Sequence, residues 1–296
     1  MSTFKGVEED LPVTVRHDVY ATIDPSPHYA AQTFKGKVVL VTGASRGIGQ
    51  EIATLFARAG ASLFLVSRNQ PALEAVRTAI QVKAPDSQIE CVAVDVKDPK
   101  AAKEAVDKAL GTYVRLDVLV PNAATLTSWG ETLAEKDEEA WWNTFEVGLR
   151  GTFNFVRPAL PALQKTSGYV VAISARTAQL RVSGASDYSI MKHALNRLVE
   201  YIDLEFPDVK VFALHPGIVS TRLVNEHDFG PFDLNKWEWD TPTLCAATTV
   251  YLSAGGADWL SGRYVSANWD LGEVDRDWKA KIIAQDGLVS KCCIPK

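Results

Sequence analysis

Short β-branched runs alternate with stretches of helical periodicity along most of this chain, and that alternation constrains its fold more than any other feature. "KVVLVTG" (37–43) is an apolar run closed by glycine, the pattern of a buried strand. "GIGQEIATLFARAGA" follows with apolar residues at helical spacing and Gly60 placed to cap the helix. The pair recurs as "SLFLVS" and "PALEAVRTAIQVKA", with Pro71 in the first helical turn, then as "IECVAVDV" and "DPKAAKEAVDKAL". "LDVLVPN" leads into one long helical region, "EEAWWNTFEVGLRGTFNFVRPALPAL". "GYVVAIS", "ASDYSIMKHALNRLVEYIDLEF" and "VKVFALHPG" complete the core, and "TPTLCAATTVYLSA" and "RYVSA" close it. Six to seven such repeats predict an α/β fold, doubly wound, with a parallel sheet and helices on both faces. Ligands in such sheets bind at the carboxyl ends of the strands. No internal repeat or low-complexity linker divides the chain, so one domain is expected.

Composition narrows the function classes. The chain of 296 residues is 47% hydrophobic and 23% charged, with a formal charge of −5. Such a balance supports a sizeable core and argues against an electrostatic nucleic-acid binder, which would carry a basic patch. Cys91, Cys245, Cys292 and Cys293 are too few and too scattered for a disulfide framework, and none forms a zinc-type pair. The opening "MSTFKGVEEDLPVTVRHD" lacks the apolar core of a signal peptide, and no run approaches a bilayer span. The ending "SKCCIPK" fits a prenylation box poorly at Pro295 and Lys296. These features lead to the expectation of a soluble cytoplasmic protein with no resident metal, no nucleic-acid partner and no membrane association.

Residues 1–34 contain Pro12, Pro25 and Pro27 without sustained periodicity, and are expected to form an extended arm over the domain or over a neighbouring subunit. The main domain is expected over 35–270, with a lid over about 218–240 and a tail over 271–296.

Three local patterns carry chemistry. The first strand runs into "TGASRGIG", where Gly43, Gly47 and Gly49 precede a helix. Glycines there let the backbone approach a diphosphate whose charge faces the helix N-terminus. The spacing is G-x-x-x-G-x-G, not the G-x-G-x-x-G of other dinucleotide folds. "SDYSIMKHAL" holds Tyr188 and Lys192 four residues apart, which on a helix puts both on one face. Alone, that spacing describes many amphipathic helices. The third pattern is "HPGIVST" after the last long strand.

"TGASRGIG", "NA" at 122–123, "YSIMK" and "HPGIVST" stand in the order and at the separations of the short-chain dehydrogenase/reductases, and the chain resembles that family over roughly residues 35–270. The arm and tail resemble those of fungal members, some of which act in secondary metabolism. The resemblance implies a single Rossmann-like domain with a seven-stranded parallel sheet. It implies that Gly43, Ser45, Gly47, Ile48 and Gly49 cradle a dinucleotide diphosphate. Asp95 would hold the adenine amino group, and Val96 would donate a backbone hydrogen bond. Asn122 and Ala123 would line the ribose side, and Pro216, Gly217, Val219 and Thr221 would frame the nicotinamide. Tyr188 would give a proton to a carbonyl oxygen, with Lys192 stabilising the phenolate and holding the ribose.

Charge bears on which dinucleotide. NAD binders of this kind end the second strand with a carboxylate for the ribose 2′-hydroxyl. Here it ends "LVSRN", so Arg68 stands near that position, and Arg46 lies inside the glycine turn. Two guanidinium groups suit a 2′-phosphate, and NADP(H) is the expected cofactor.

The sequence departs from the family at the reaction centre. The family serine thirteen residues before the tyrosine is Ala175 here, and the family asparagine of the long helix is Gly148. Met191 replaces a small hydroxyl residue before the lysine, and Ala124 replaces a glycine. Losing one donor at a developing oxyanion costs about 10²–10³ in rate. Ser174 is the candidate catalytic stand-in, although neighbouring residues of a regular strand point to opposite faces. Thr177, Ser183 and Ser186 are further sources of a hydroxyl, and Arg176 is a candidate for orienting a carbonyl.

Phe229, Phe232, Trp237 and Trp239 of the lid, with Trp129, suit a bulky apolar or aromatic small-molecule substrate or a packed lid. An NADP(H)-dependent oxidoreductase of carbonyl reductase type is the expected function. A non-redox isomerase or cyclase on the same scaffold, or a cofactor-binding protein with little catalysis, are the alternatives. The "WWNTF" and "MKHALNRL" segments resemble the family's subunit-contact helices, so a homodimer or homotetramer is expected.

Overall fold

Each strand sends alternate side chains into two separate apolar layers, and that is what fixes the architecture. The computed structural model describes residues 4–230, 236 and 238–292. In chain order the elements are β1 (Phe4–Lys5), α1 (Ser26–Ala31), β2 (Val38–Thr42), α2 (Gly47–Arg58), β3 (Ser62–Ser67), α3 (Gln70–Lys83) and β4 (Ile89–Ala93). Next come α4 (Pro99–Tyr113), β5 (Val118–Val120), α5 (Glu138–Phe145), α6 (Gly151–Thr166), β6 (Tyr169–Ile173), β7 (Arg181–Val182) and α7 (Ser186–Glu205). The chain continues through β8 (Lys210–His215), α8 (Arg222–Asn225), α9 (Pro242–Ser253), β9 (Arg263–Ser266), α10 (Leu271–Glu273) and α11 (Lys279–Ala284).

The 7-stranded sheet has the order β4-β3-β2-β5-β6-β8-β9 and is parallel throughout. Val39 and Val41 of β2 face a layer formed by α2, α3 and α9, while Val38 and Leu40 face α4, α6 and α7. The chain is therefore the doubly wound α/β domain that the alternation predicts. The strand order reverses at β2, so the cleft lies above β2 and β5, where such folds bind ligands.

Three local features go beyond the sequence reading. The helical region from 138 to 166 is not one α-helix, because a π-turn at Glu146–Arg150 separates α5 from α6. The tail carries short helices, α10 and α11. The arm is partly ordered into α1 and pairs β1 antiparallel with β7. It lies against its own domain: Arg16 pairs with Asp270 at 2.6 Å, Thr14 Oγ1 donates to Glu273 at 2.6 Å, and Tyr20 donates to the Trp269 carbonyl.

Candidate active site

The turn after β2 is shaped by backbone crowding that only glycine allows. Gly43 has φ of +65°, and a β-carbon there would lie 2.8 Å from the Asn122 amide nitrogen. At Gly49 a β-carbon would lie 2.5 Å from the Gly43 carbonyl oxygen. Asn122 locks this arrangement, because its side-chain amide donates to the carbonyls of Thr42 (3.0 Å) and Gly43 (3.1 Å). The backbone N–H groups of Asn122 and Ala123 both donate to Thr42 Oγ1. Asn122 thus ties the end of β5 to the cradle, a scaffolding contact absent from the sequence reading. Ser45 and Ile48 are partly buried within the turn, and the Thr221 methyl approaches Gly47 from the segment after β8.

Arg46 and Arg68 are exposed at the ends of the turn and of β3, and neither has a carboxylate partner among the described residues. Asp95 is partly buried and accepts from the Lys97 N–H, while Val96 is buried beneath Gly151. Gly217, with φ of +88°, leaves Pro216 and Val219 on a loop held from below by Asp240. That buried carboxylate accepts from the Ile218 N–H, from Asn268 Nδ2 at 2.8 Å and from His17 Nδ1 at 2.6 Å. The arm therefore braces the loop assigned to the nicotinamide.

The residues here fit a dinucleotide: a cradle that a β-carbon would fill, a helix N-terminus behind it, and two unpaired guanidinium groups beside it. No group of three metal-ligating side chains occurs among the described residues.

Tyr188 and Lys192 lie one turn apart on α7, with Lys192 Nζ 5.5 Å from the Tyr188 ring centroid. Lys192 is buried and donates to the Ile173 carbonyl at 2.5 Å. Burial lowers its pKa to about 7. The Tyr188 phenol is pushed up, first by burial and then by the neighbouring Asp187 carboxylate. Around Tyr188 the wall is apolar: Leu126 and Trp129 after β5, Leu180, Val182 and Ala185 before α7, and Leu223, Val224 and Phe229 after β8 form one cluster with it. Trp129 and Phe229 meet edge to face at 4.7 Å.

The structure corrects the stand-in hydroxyl. β6 runs regularly into Ser174, whose N–H pairs with the Leu214 carbonyl, so the alternation of the strand is preserved. Its side chain turns under α7 and donates to Asn196 Oδ1 at 2.6 Å, where it is 1% exposed. Ser174 is therefore spent on helix packing and does not replace the hydroxyl that Ala175 lacks. Thr177, Ser183 and Ser186 line a different pocket of about 630 Å³, on the outer face of α7 with Ser189 and His193. Ser186 also receives the Trp141 indole N–H at 3.1 Å. Arg176 pairs with Asp10 of the arm at 3.2 Å, and its backbone N–H donates to His215 Nδ1. Burial, reinforced by Arg176, holds His215 down near a pKa of about 3, so its ring is neutral.

Gly148 sits in the π-turn, and Met191 fills the space beside it. Trp239 is exposed, while Phe232 and Trp237 lie outside the described residues. Asp187, Lys136, Asn196, Asp240 and Asp10 escaped the sequence reading. Asp187 adjoins Tyr188 in the sequence, but nothing local identifies its partners.

Residues 37–229 match the family model for short chain dehydrogenases. The chain is 40% identical over 248 residues to short chain dehydrogenase mpl6 of Monascus purpureus, covering 81% of this chain and 83% of that one. It is 31% identical over 293 residues to short chain dehydrogenase pigC of Monascus ruber, covering 95% and 93%. Among solved structures, an alcohol dehydrogenase from the archaeon Thermococcus sibiricus, complexed with 5-hydroxy-NADP, superposes with a TM-score of 0.69 at 26% identity, covering 78% of this chain and 95% of that one. Levodione reductase superposes with a TM-score of 0.74 at 21% identity, covering 83% and 100%, a likeness of fold.

Proposed function

This chain belongs to the short-chain dehydrogenase family, and from that premise we propose that it is an NADP(H)-dependent oxidoreductase of carbonyl reductase or alcohol dehydrogenase type, acting on a bulky apolar or aromatic small molecule. The observation that carries this reading is the Tyr188–Lys192 pair on one face of α7, enclosed by the apolar cluster of Leu126, Trp129 and Phe229. Gly43, Ser45, Gly47, Ile48 and Gly49 would hold the diphosphate, and Arg46 and Arg68 the 2′-phosphate. Asp95 and Val96 would hold the adenine. Asn122 and Ala123 would line the ribose side, and Pro216, Gly217, Val219 and Thr221 would frame the nicotinamide. NADPH supplies the hydride when bound.

The chain's own residues handle the proton. Burial and Asp187 keep the Tyr188 phenol protonated, which suits delivery of its proton to a carbonyl oxygen. Lys192, anchored on Ile173, stabilises the phenolate that remains. The apolar wall excludes water and strengthens both electrostatic effects.

Purified protein with NADPH and a panel of aromatic ketones, followed by nicotinamide absorbance, tests the reading. Oxidation that Tyr188→Phe abolishes supports it. The diversion of Ser174 and the filling of the space at Gly148 favour a second reading, a non-redox isomerase or cyclase on the same scaffold. Substrate turnover without net nicotinamide oxidation would select that one. Cofactor binding without turnover would point to a binding protein with little catalysis.

The same reading includes a homodimer or homotetramer in the cytoplasm and a role in secondary metabolism. Its support for assembly is the apolar groove of Trp142, Phe145, Leu149, Phe153, Leu198 and Tyr201 across the π-turn region and α7. Sedimentation of wild type against Phe153→Glu would test the assembly. No helix among the described residues is long and apolar enough to cross a membrane.

A further inference from the structure

Directly beside Tyr188 lies an ion pair shut away from water. Lys136 Nζ and Asp187 Oδ1 stand 3.4 Å apart, with side-chain exposures of 2% and 0%. Lys136 also donates to the Ser128 carbonyl at 2.9 Å and to Thr127 Oγ1. Asp187 Oδ2 accepts from the Thr127 N–H and from Thr144 Oγ1, both at 3.0 Å. These contacts join four pieces of chain: the wall at 126–130, the segment before α5, α5 itself and the first turn of α7.

Removing two charges from water costs several kcal/mol per ion, and apolar residues of similar volume are often as stable. Stability therefore does not account for a charged pair here. The helix dipole favours a carboxylate in the first turn of α7, yet that explains neither the burial nor the lysine. The position of the pair is more informative. Asp187 adjoins Tyr188, and Thr127 and Ser128 lie between Leu126 and Trp129, which pack in the cluster containing Tyr188. The segment at 223–230 is tied to the same loop, because the Trp129 N–H donates to the Asp228 carbonyl at 2.8 Å and Ser128 Oγ accepts from the Asp228 N–H.

We propose that the Lys136–Asp187 pair is a positioning element that fixes the wall at residues 126–130, and the segment at 223–230 attached to it, relative to Tyr188, and thereby governs how a bulky substrate is seated. The claim about the substrate rests on the reading of Tyr188 as the proton donor. The claim about the wall does not.

The test uses the full chain carrying Asp187→Asn, Lys136→Gln, and both together. Hydrogen exchange over residues 124–131 is measured without substrate, and kcat and KM are measured with NADPH for a small and a bulky aromatic ketone. In Asp187→Asn and in the double variant, exchange over 124–131 rises by about tenfold. The ratio of KM for the bulky ketone to KM for the small one rises by about tenfold, a readout that a change in the Tyr188 proton affinity, common to both ketones, does not move. Lys136→Gln leaves a buried carboxylate unpaired and has the lowest melting temperature of the three. Where Asp187→Asn does not fold, Thr127→Val, which deletes only the hydroxyl receiving Lys136, gives the same directions at smaller amplitude. A double variant with exchange over 124–131 and the ratio of the two KM values both unchanged, whatever its melting temperature, overturns the proposal. Ketone reduction that survives Tyr188→Phe removes the acid assignment instead, and the exchange result still decides whether the pair holds the wall.

Discussion

Met191 occupies the space that any side chain at Gly148 would need. A β-carbon at residue 148 would lie 2.5 Å from both Sδ and Cε of Met191, which is wholly buried. Gly148 lies within the π-turn between α5 and α6, and its carbonyl accepts from Thr152 Oγ1 at 2.7 Å. Such turns recur at functional sites. Gly148 and Met191 therefore form one coupled, packed apolar contact between α7 and the turn.

The coupling has a measurable consequence. Gly148→Asn alone drives its side chain into Met191, and overpacking of this kind costs about 1–3 kcal/mol. Met191→Ser alone opens a cavity and also destabilises the fold. Gly148→Asn with Met191→Ser should recover stability beyond the sum of the two, because the residues touch. Urea denaturation of the two single variants and the double variant gives the interaction energy, and strict additivity would contradict the coupling. Adding Ala175→Ser to the recovered double variant should raise ketone reduction by up to about 10².

Cofactor preference turns on two exposed guanidinium groups. Arg68→Ala and Arg46→Ala should each weaken NADPH binding by about tenfold, the scale of one charge-assisted contact, and leave NADH binding within about twofold. Fluorescence titration with both nucleotides reads this directly. Equal or tighter binding of NADH to the wild-type protein would refute the assignment of the 2′-phosphate to this pair.

How much of this site is legible in the sequence depends on the range of the interaction. The sheet, the cradle at Gly43–Gly49 and the Tyr188–Lys192 spacing follow from periodicity within one or two turns, so they read directly. The orientation of Ser174 depends on Asn196, which is distant along the chain and lies on the helix packed over β6. Met191 against Gly148, Lys136 against Asp187, and Asp10 against Arg176 are likewise contacts between elements that only the folded sheet brings together. Sequence marks the residues that perform chemistry, and tertiary packing decides which neighbours they retain.

Lys192 makes stability depend on pH in an unusual direction. Burial lowers its pKa from 10.5 to about 7, so between those values the unfolded chain binds more protons than the folded one. Stability of the cofactor-free protein should therefore rise with pH above about 7, by at most about 1.4 kcal/mol per pH unit. The buried Cys91 and the partly buried Tyr113 titrate in the opposite sense at higher pH, since burial raises both. The window from about 7 to 9 is therefore the informative one. Lys192→Met should flatten the rise in urea midpoint across that window, and an unchanged slope would mean that the ammonium is better solvated than its burial implies.

Asp240 links the arm to the loop that carries Pro216 and Gly217. Its carboxylate receives three donors, from Ile218, His17 and Asn268, in a buried setting. Asp240→Asn keeps the shape but turns an amide N–H toward donors, leaving at least one buried group unpaired, at a cost of about 1–3 kcal/mol. NADPH binding should weaken several-fold as the loop loosens, while the turn at Gly43–Gly49, held separately by Asn122, keeps its exchange protection. His17→Ala removes one of the three donors and should show the same pattern at smaller amplitude. Titration of NADPH together with hydrogen exchange over 215–221 checks both. Faster exchange at the cradle instead would mean that Asp240 supports the whole cleft and not this loop alone.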